Sequence, residues 1–126
     1  MTRRGEERGS PLVVAALAVV LSACVQAPAA VSDDPAYGAL APPAKTLARN
    51  TVQEALETLR SKDSLSWSYV EDGSKGKITP LRTYRTSAGF YCREYVEIVE
   101  TLGDGRSARQ RTACRDGDGL WKQVRS

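Results

Sequence analysis

The sequence predicts an α+β domain in which one N-terminal amphipathic helix packs on a four- to five-stranded antiparallel meander with one cross-strand disulfide. Apolar residues recur at helical spacing after residue 44, and short strand-like runs separated by glycine-containing turns follow. In addition, Cys92 and Cys114 lie equally far from Gly103, the centre of the turn between two such runs. A hairpin at this turn would therefore bring the two thiols face to face.

The helix is predicted over residues 45–61. Its apolar stripe ends where Lys62, Asp63 and flanking serines interrupt the period. The stripe consists of Leu47, Ala48, Val52, Ala55, Leu56 and Leu59. Such a stripe can bind a partner, but covering the apolar face of its own sheet is the commoner use, and we expect that here.

Five strand-like runs are predicted after the helix, within residues 65–124. Their connections are too short for parallel crossovers, so neighbouring strands are expected to be antiparallel. Pro80 lies inside the second run, which predicts an edge strand or a bulge there. The runs are residues 65–70, 77–85, 89–99, 108–115 and 120–124.

The hairpin around Gly103 has a predicted register and a predicted buried face. The register places Glu97 opposite Arg109 and Glu100 opposite Arg106, so opposite charges meet across the strands. Even-numbered residues of the first strand are mostly apolar and are expected to pack, whereas the odd-numbered ones are expected to face water. The even set is Phe90, Cys92, Val96 and Ile98, and the odd set is Tyr91, Arg93, Tyr95 and Glu97.

Composition limits the chain to one small domain and excludes several kinds of function. The 126 residues include 18 basic and 15 acidic side chains, a net charge of +3, without a basic block. This pattern gives no basis for nucleic-acid binding. There is no histidine, which removes the commonest metal ligand and general base. We therefore predict no metal, no cofactor and no catalytic residue.

Residues 1–23 have the pattern of a lipoprotein signal peptide. Arginines precede an apolar run over residues 12–21, which is shorter than the about 20 residues needed to span a bilayer. The following Leu21-Ser22-Ala23-Cys24 resembles the lipobox of bacterial lipoproteins. That resemblance implies acylation of Cys24 and a lipid anchor. The alternative is an ordinary secretory signal with a chance cysteine. An aspartate directly after the lipidated cysteine would favour retention in the inner membrane. This position holds Val25, which favours the outer membrane.

Residues 24–43 are rich in alanine and proline and are predicted to be a flexible tether between the lipid and the domain over residues 44–126.

A disulfide between Cys92 and Cys114 is the predicted use of the two cysteines that remain. An exported protein meets an oxidising environment, and the predicted register makes the two thiols face each other. The rival uses are a metal pair, which lacks further ligands, and a catalytic thiol, which lacks a histidine.

Glu94 lies on the cysteine-bearing face and needs a partner if it is buried. A structural ion pair with an arginine such as Arg82, Arg93 or Arg115 is expected, and the sequence does not decide which of the three binds. The functional alternative makes Glu94 a general acid or base, with a second carboxylate from the turn at residues 116–119. That turn lacks the further ligands and closing glutamate of a calcium loop.

Aromatic side chains provide a possible binding face. Tyr91, Tyr95 and Trp121 could present such a face to a glycan or peptide. Because the chain has only eight aromatic residues, the core is expected to use most of them.

Several short motifs resemble the C-terminal domain of rickettsial-type seventeen-kilodalton surface antigen lipoproteins. These are Ser66-Trp67-Ser68, Thr79-Pro80, Arg82-Thr83-Tyr84, Tyr91-Cys92-Arg93-Glu94-Tyr95, Thr112-Ala113-Cys114-Arg115 and Asp118-Gly119-Leu120-Trp121. The resemblance implies a non-enzymatic structural or interaction role in the bacterial cell envelope. The glycine-zipper segment of many members is replaced here by the tether and the helix.

The expected partners are a membrane, reached through lipidated Cys24, and an envelope protein or glycan. The main alternative function is a small periplasmic inhibitor or ligand-binding module that uses the aromatic face. An enzyme is the third.

Overall fold

The computed structural model describes Gly9 and residues 34–125, and it confirms the predicted fold class. One helix packs on a five-stranded antiparallel sheet whose strand order follows the chain order. The meander therefore has no crossovers. A 3-10 helix, Pro35–Tyr37, is followed by α1 (Pro42–Thr58), β1 (Leu65–Tyr69), β2 (Ser74–Arg85), β3 (Tyr91–Thr101), β4 (Gly105–Arg115) and β5 (Trp121–Val124).

Helix α1 begins three residues before the predicted start and ends three before the predicted end. Pro42 stands at its first position, where the fixed φ of proline suits a helix and the missing N–H costs nothing. Leu59 already has an extended backbone. The predicted stripe does pack on the sheet, although Leu47 and Leu59 are only partly buried. The buried residues of α1 are Ala44, Ala48, Thr51, Val52, Ala55 and Leu56, so Ala44 and Thr51 join the predicted stripe.

Residues 34–43, which were predicted to belong to the tether, are part of the folded domain. Tyr37 and Leu40 are buried in the core, and Asp34 caps the 3-10 helix by accepting from the N–H of Ala36 at 2.9 Å. Asp72 holds the start of α1 by accepting from the N–H of Ala41 at 3.0 Å. The contact from Asp72 comes from a side chain 31 positions away, so composition alone did not reveal it.

The prediction of which face of β3 packs is wrong. The odd-numbered residues face α1, and Arg93, Tyr95, Glu97 and Val99 are all buried. The even-numbered residues of β3 lie on the opposite, open face of the sheet, and Phe90, which directly precedes the strand, is half exposed. Counting apolar residues on each face gave the wrong answer because buried Arg93 and Glu97 find polar partners in elements distant in sequence.

The predicted hairpin register is confirmed. Cys92 pairs with Cys114, Glu97 with Arg109 and Glu100 with Arg106. An ion pair follows at Glu100, whose Oε1 lies 3.5 Å from Nε of Arg106. Glu97 instead binds Arg111, two residues further along β4. Facing positions on paired strands therefore did not identify the partner of the buried carboxylate.

Pro80 lies beside a β-bulge, as predicted. It pairs with Tyr95, whereas Arg82 pairs with the next residue, Glu94, so Leu81 is the extra residue of β2. Strand β1 pairs with β2 only as far as Ile78, and the missing N–H of Pro80 therefore breaks no ladder bond to β1.

Candidate functional site

Cys92 and Cys114 form a disulfide between β3 and β4, with an S–S distance of 2.06 Å. The bridge lies on the open face, and Tyr84 of β2 and Lys122 of β5 flank it in the same row across the sheet. Cys92 is fully buried within this row. The two cysteines therefore join the central strands covalently, and neither thiol is free for metal binding or catalysis.

Arg82 is the arginine that binds Glu94. Its Nε and Nη2 donate to the two carboxylate oxygens at 3.0 and 2.9 Å, and its guanidinium lies 4.8 Å from the centre of the Tyr84 ring. The hydrogen bonds from Arg82 lower the pKa of Glu94. Arg93 is on the opposite face, and Arg115 binds Glu57 of α1 at 3.2 Å.

Two of the carboxylates considered for acid–base chemistry, Glu94 and Asp116, are held in separate ion pairs. Asp116 lies 2.9 Å from Nζ of Lys122 and accepts from the N–H groups of Asp118 and Leu120. The contact with Lys122 is the main cause of its lowered pKa. A general acid near neutral pH needs a raised pKa instead. Glu94 and Asp116 therefore have the electrostatics of structural residues.

The proposed aromatic binding face does not form. Tyr95 is 2% exposed and Trp121 is 7% exposed, whereas Tyr91 is 53% exposed. Trp121 donates from Nε1 to Glu57 at 2.8 Å, so its polar edge faces α1. Two of the three rings belong to the core, and they present no common surface to a ligand.

A buried ionic network that the sequence did not predict lies beneath the N-terminal segment. Arg111 of β4 lies between two carboxylates, 2.5 Å from Oδ2 of Asp34 and 3.1 Å from Oε1 of Glu97. Its Nε and Nη2 meet these oxygens at ion-pair distance without the alignment of a hydrogen bond. Tyr37 donates to the other oxygen of Glu97 at 2.5 Å.

Burial dominates the electrostatics of this network. It raises the pKa of Glu97 above the ordinary value, although Tyr37 and Arg111 act in the opposite direction. The pKa of Tyr37 is also raised, first by burial and then by the charge of Glu97, so its hydroxyl remains a donor. The network therefore fastens residues 34–37 to the middle of the sheet.

A cleft of about 380 Å³ opens beside this network, between α1 and the edge strand β5. Gln53 of α1 closes part of the edge by donating to the carbonyl oxygen of Trp121 at 2.5 Å and accepting from its N–H at 2.8 Å. The rim is polar and mixed in charge. The cleft is lined by Asp34, Tyr37, Arg49, Val52, Gln53, Tyr95, Ala113, Trp121, Lys122 and Gln123.

A buried arginine binds the C-terminal end of α1. Arg93 donates from Nη1 to the carbonyl oxygen of Leu56 at 2.6 Å, and burial lowers its pKa. This carbonyl lies in the last turn of α1, where no intrahelical donor remains and a positive charge is favourable. One feature of the sequence was consistent with burial of this face. Arg93 and Glu97 alternate in β3 with Tyr95 and Val99, so the face is partly apolar and not purely polar.

Cys24 lies outside the described residues, so its lipidation stays a prediction. Within the described part of the chain, no helix has the length and apolar character to cross a membrane. The same residues contain no group of three or more His, Cys, Asp or Glu side chains placed to hold a metal ion.

The chain is similar to known surface antigens. The family model for the 17 kDa outer membrane surface antigen matches residues 54–122, which run from α1 into β5. A 17 kDa surface antigen of Rickettsia felis is 42% identical over 80 residues, or 64% of this chain and 50% of that protein. Those of Rickettsia conorii and Rickettsia prowazekii are 41% and 42% identical, over 64% and 59% of this chain and 50% and 46% of theirs.

The chain therefore spans about half the length of the curated relatives it matches. No solved structure matches it.

Proposed function

The chain belongs to the family of 17 kDa outer membrane surface antigens, and from this premise we propose that it is a lipid-anchored protein of the outer membrane with a non-enzymatic structural or interaction role. The family match carries the proposal, and the lipobox-like Leu21-Ser22-Ala23-Cys24 supports the anchor. Acyl chains contribute about 0.8 kcal/mol per buried methylene, so several chains on Cys24 would hold the domain at a membrane.

The folded domain supports this role by the way in which its N-terminal end is fastened. Asp34 lies ten positions after Cys24, and an extended chain covers about 3.5 Å per residue, so the anchor would hold Asp34 within about 35 Å of the membrane. Asp34 is bound to Arg111, inside the buried network. Tension on the tether would therefore act on the centre of the sheet.

The non-enzymatic part of the proposal is supported by the partners of the ionisable side chains. Glu94 and Asp116 are bound by Arg82 and Lys122 and have lowered pKa values. Glu97 is buried, and both of its carboxylate oxygens are engaged. These carboxylates contribute to structure in the folded state.

Labelling with radioactive palmitate, followed by separation of inner and outer membranes, tests the anchor. We expect the wild-type protein to carry label and to fractionate with the outer membrane, and the Cys24→Ala variant to carry none. The matched control is the Cys92→Ser/Cys114→Ser variant, which should keep the label because Cys24 is intact. An unlabelled wild type, or a labelled Cys24→Ala variant, would refute the lipid anchor.

An interaction role implies a partner, for which we propose an envelope protein or a glycan. Crosslinking in intact cells with reagents that react with exposed lysines, such as Lys62 after α1 and Lys77 of β2, tests this. A partner should appear as a discrete adduct in wild-type cells. The interaction role is contradicted if only the uncrosslinked protein is recovered over the full range of reagent.

A further inference from the structure

The open face of the sheet, opposite α1, carries more cations than carboxylates. Directly paired residues on neighbouring strands share a face, so the register defines which side chains lie there. Two carboxylates lie on this face, Glu94 and Glu100, and Asp116 lies at its margin. The cations of this face are Lys75, Lys77, Arg82, Arg106 and Lys122.

All three carboxylates are already neutralised. Glu94 binds Arg82, and Asp116 binds Lys122. Glu100 lies between two cations, 3.2 Å from Nζ of Lys75 and 3.5 Å from Nε of Arg106. The remaining positive charge is concentrated around a shallow depression of about 400 Å³, whose lining includes Lys75, Lys77 and Arg106 together with the two serines of β1.

Apolar side chains stand at one end of the same face. Phe90 and Leu120 are each 51% exposed, and each stands two residues before a residue of the disulfide row, Cys92 and Lys122. Val96 and Ile98, in the middle of the face, are half-buried. A surface that combines surplus cations with exposed apolar side chains suits an interface where anionic headgroups meet acyl chains.

We propose that this open face docks on an anionic lipid surface, with the cations on the headgroup phosphates and Phe90 and Leu120 at the acyl boundary. The inference rests on the lipid anchor proposed above, because an anchor at Cys24 raises the local concentration of the domain at the membrane. Asp34 lies on the helix side of the sheet, but it shares the cleft with Lys122 and Gln123 of the edge strand β5. A ten-residue tether can therefore pass around this edge to the open face.

Charge also distinguishes lipid from a second copy of this chain. Two copies that met through their open faces would place one surplus of positive charge against another, which is unfavourable. An anionic lipid surface offers the opposite charge and requires no shape complementarity. An acidic protein would also bind these cations, and the experiment described next distinguishes such a protein from a lipid surface.

Quenching of tryptophan fluorescence by brominated lipids tests the docking. The full-length lipidated protein is reconstituted into vesicles of brominated phosphatidylcholine, with or without phosphatidylglycerol. The reporter variant is Phe90→Trp, Leu120→Trp is a second reporter, and the control is Glu54→Trp on the exposed side of α1. Trp67 and Trp121 are buried in every variant and give a common background. Flotation of the vesicles measures anchoring separately.

We expect phosphatidylglycerol to increase the quenching of Phe90→Trp by at least about twofold, and high salt to abolish the increase, since both changes act on the phosphate contacts. Lys75→Gln/Lys77→Gln/Arg106→Gln in the reporter background should also remove it. Glu54→Trp should stay unquenched.

Floating protein whose reporters are unquenched would overturn the docking, keep the anchor and favour an acidic protein partner. Quenching of Glu54→Trp in place of the two reporters would show that the helix side of the domain, and not the open face, lies on the membrane. Protein that does not float would refute the anchor and the docking together.

Discussion

Tyr37 donates its hydroxyl proton to Oε2 of Glu97 across 2.5 Å, and this bond joins residues 60 positions apart. The other oxygen of Glu97 is bound by Arg111, which also binds Asp34. Residues 34–37, which follow the proposed tether, are thus attached to β3 and β4 by buried polar contacts. Tyr37 and Leu40 add apolar burial to the same attachment.

Removing the Tyr37 hydroxyl should destabilise the domain. In Tyr37→Phe the ring still fills its site, but buried Glu97 loses a donor, and we expect the free energy of unfolding to fall by about 1–3 kcal/mol in urea denaturation. Tyr69→Phe is the matched control, because its hydroxyl binds Glu71 at the exposed surface. Stability should change little there. A Tyr37→Phe variant as stable as the control would contradict the role of the bond.

Glu97 should give the unfolding free energy a pH dependence that Glu97→Gln lacks. Its pKa in the folded protein is raised above the ordinary 4.5, first by burial. The folded state therefore holds the proton more tightly than the unfolded state. The contribution is fully present below the unfolded pKa and is lost as pH rises through the folded pKa. Wild-type stability minus that of Glu97→Gln should therefore decrease with rising pH, starting at about pH 4.

Asp116 should show the opposite sign, because its pKa is lowered below 3.8, mainly by Lys122. Its stabilisation is present above the unfolded pKa and is lost as pH falls through the folded pKa. Denaturation of wild type, Glu97→Gln and Asp116→Asn over the acidic range checks both signs. A constant difference between wild type and Glu97→Gln would show that Glu97 has the same pKa in both states.

The disulfide should supply a large part of the stability. It joins residues separated by 22 positions, and closing a loop of this size in the unfolded chain corresponds to about 3 kcal/mol. Cys92→Ser/Cys114→Ser should lose about this much in urea denaturation, and a reductant should destabilise wild type but not the variant. Titration of the denatured, unreduced protein should find neither thiol reactive. Two reactive thiols there would refute the bridge.

Gly76 should tolerate no side chain, although it lies in a regular part of β2. A Cβ at this position would stand 2.4 Å from Nε1 of Trp67 and 2.6 Å from the carbonyl oxygen of Ile98. A backbone oxygen in the adjoining strand cannot move away, so Gly76→Ala should cost about 1–3 kcal/mol and alter the near-ultraviolet signal of Trp67. Gly103→Ala, whose Cβ would meet nothing within 4 Å, is the control. Equal stability of the two variants would contradict the close contact.

Local chemistry in the sequence determined the element order, the hairpin register and the disulfide. Turn residues and alternation act over a few positions, so counting outward from Gly103 is enough to pair Cys92 with Cys114. The bulge at Pro80 follows similarly from the missing N–H of one residue. The choice of Arg82 for Glu94 follows from the register across that bulge, which the sequence did not specify.

Only the tertiary structure decided which face of the sheet is covered and that residues 34–43 pack on the domain. Strand β3 has apolar residues on both faces, so the covered face depends on which charged groups find partners: Arg93 finds the end of α1, and Glu97 finds Tyr37 and Arg111. Those partners lie 37, 60 and 14 positions away, beyond any local pattern. A buried charge is stable only when its partners are in place, and the complete fold places them.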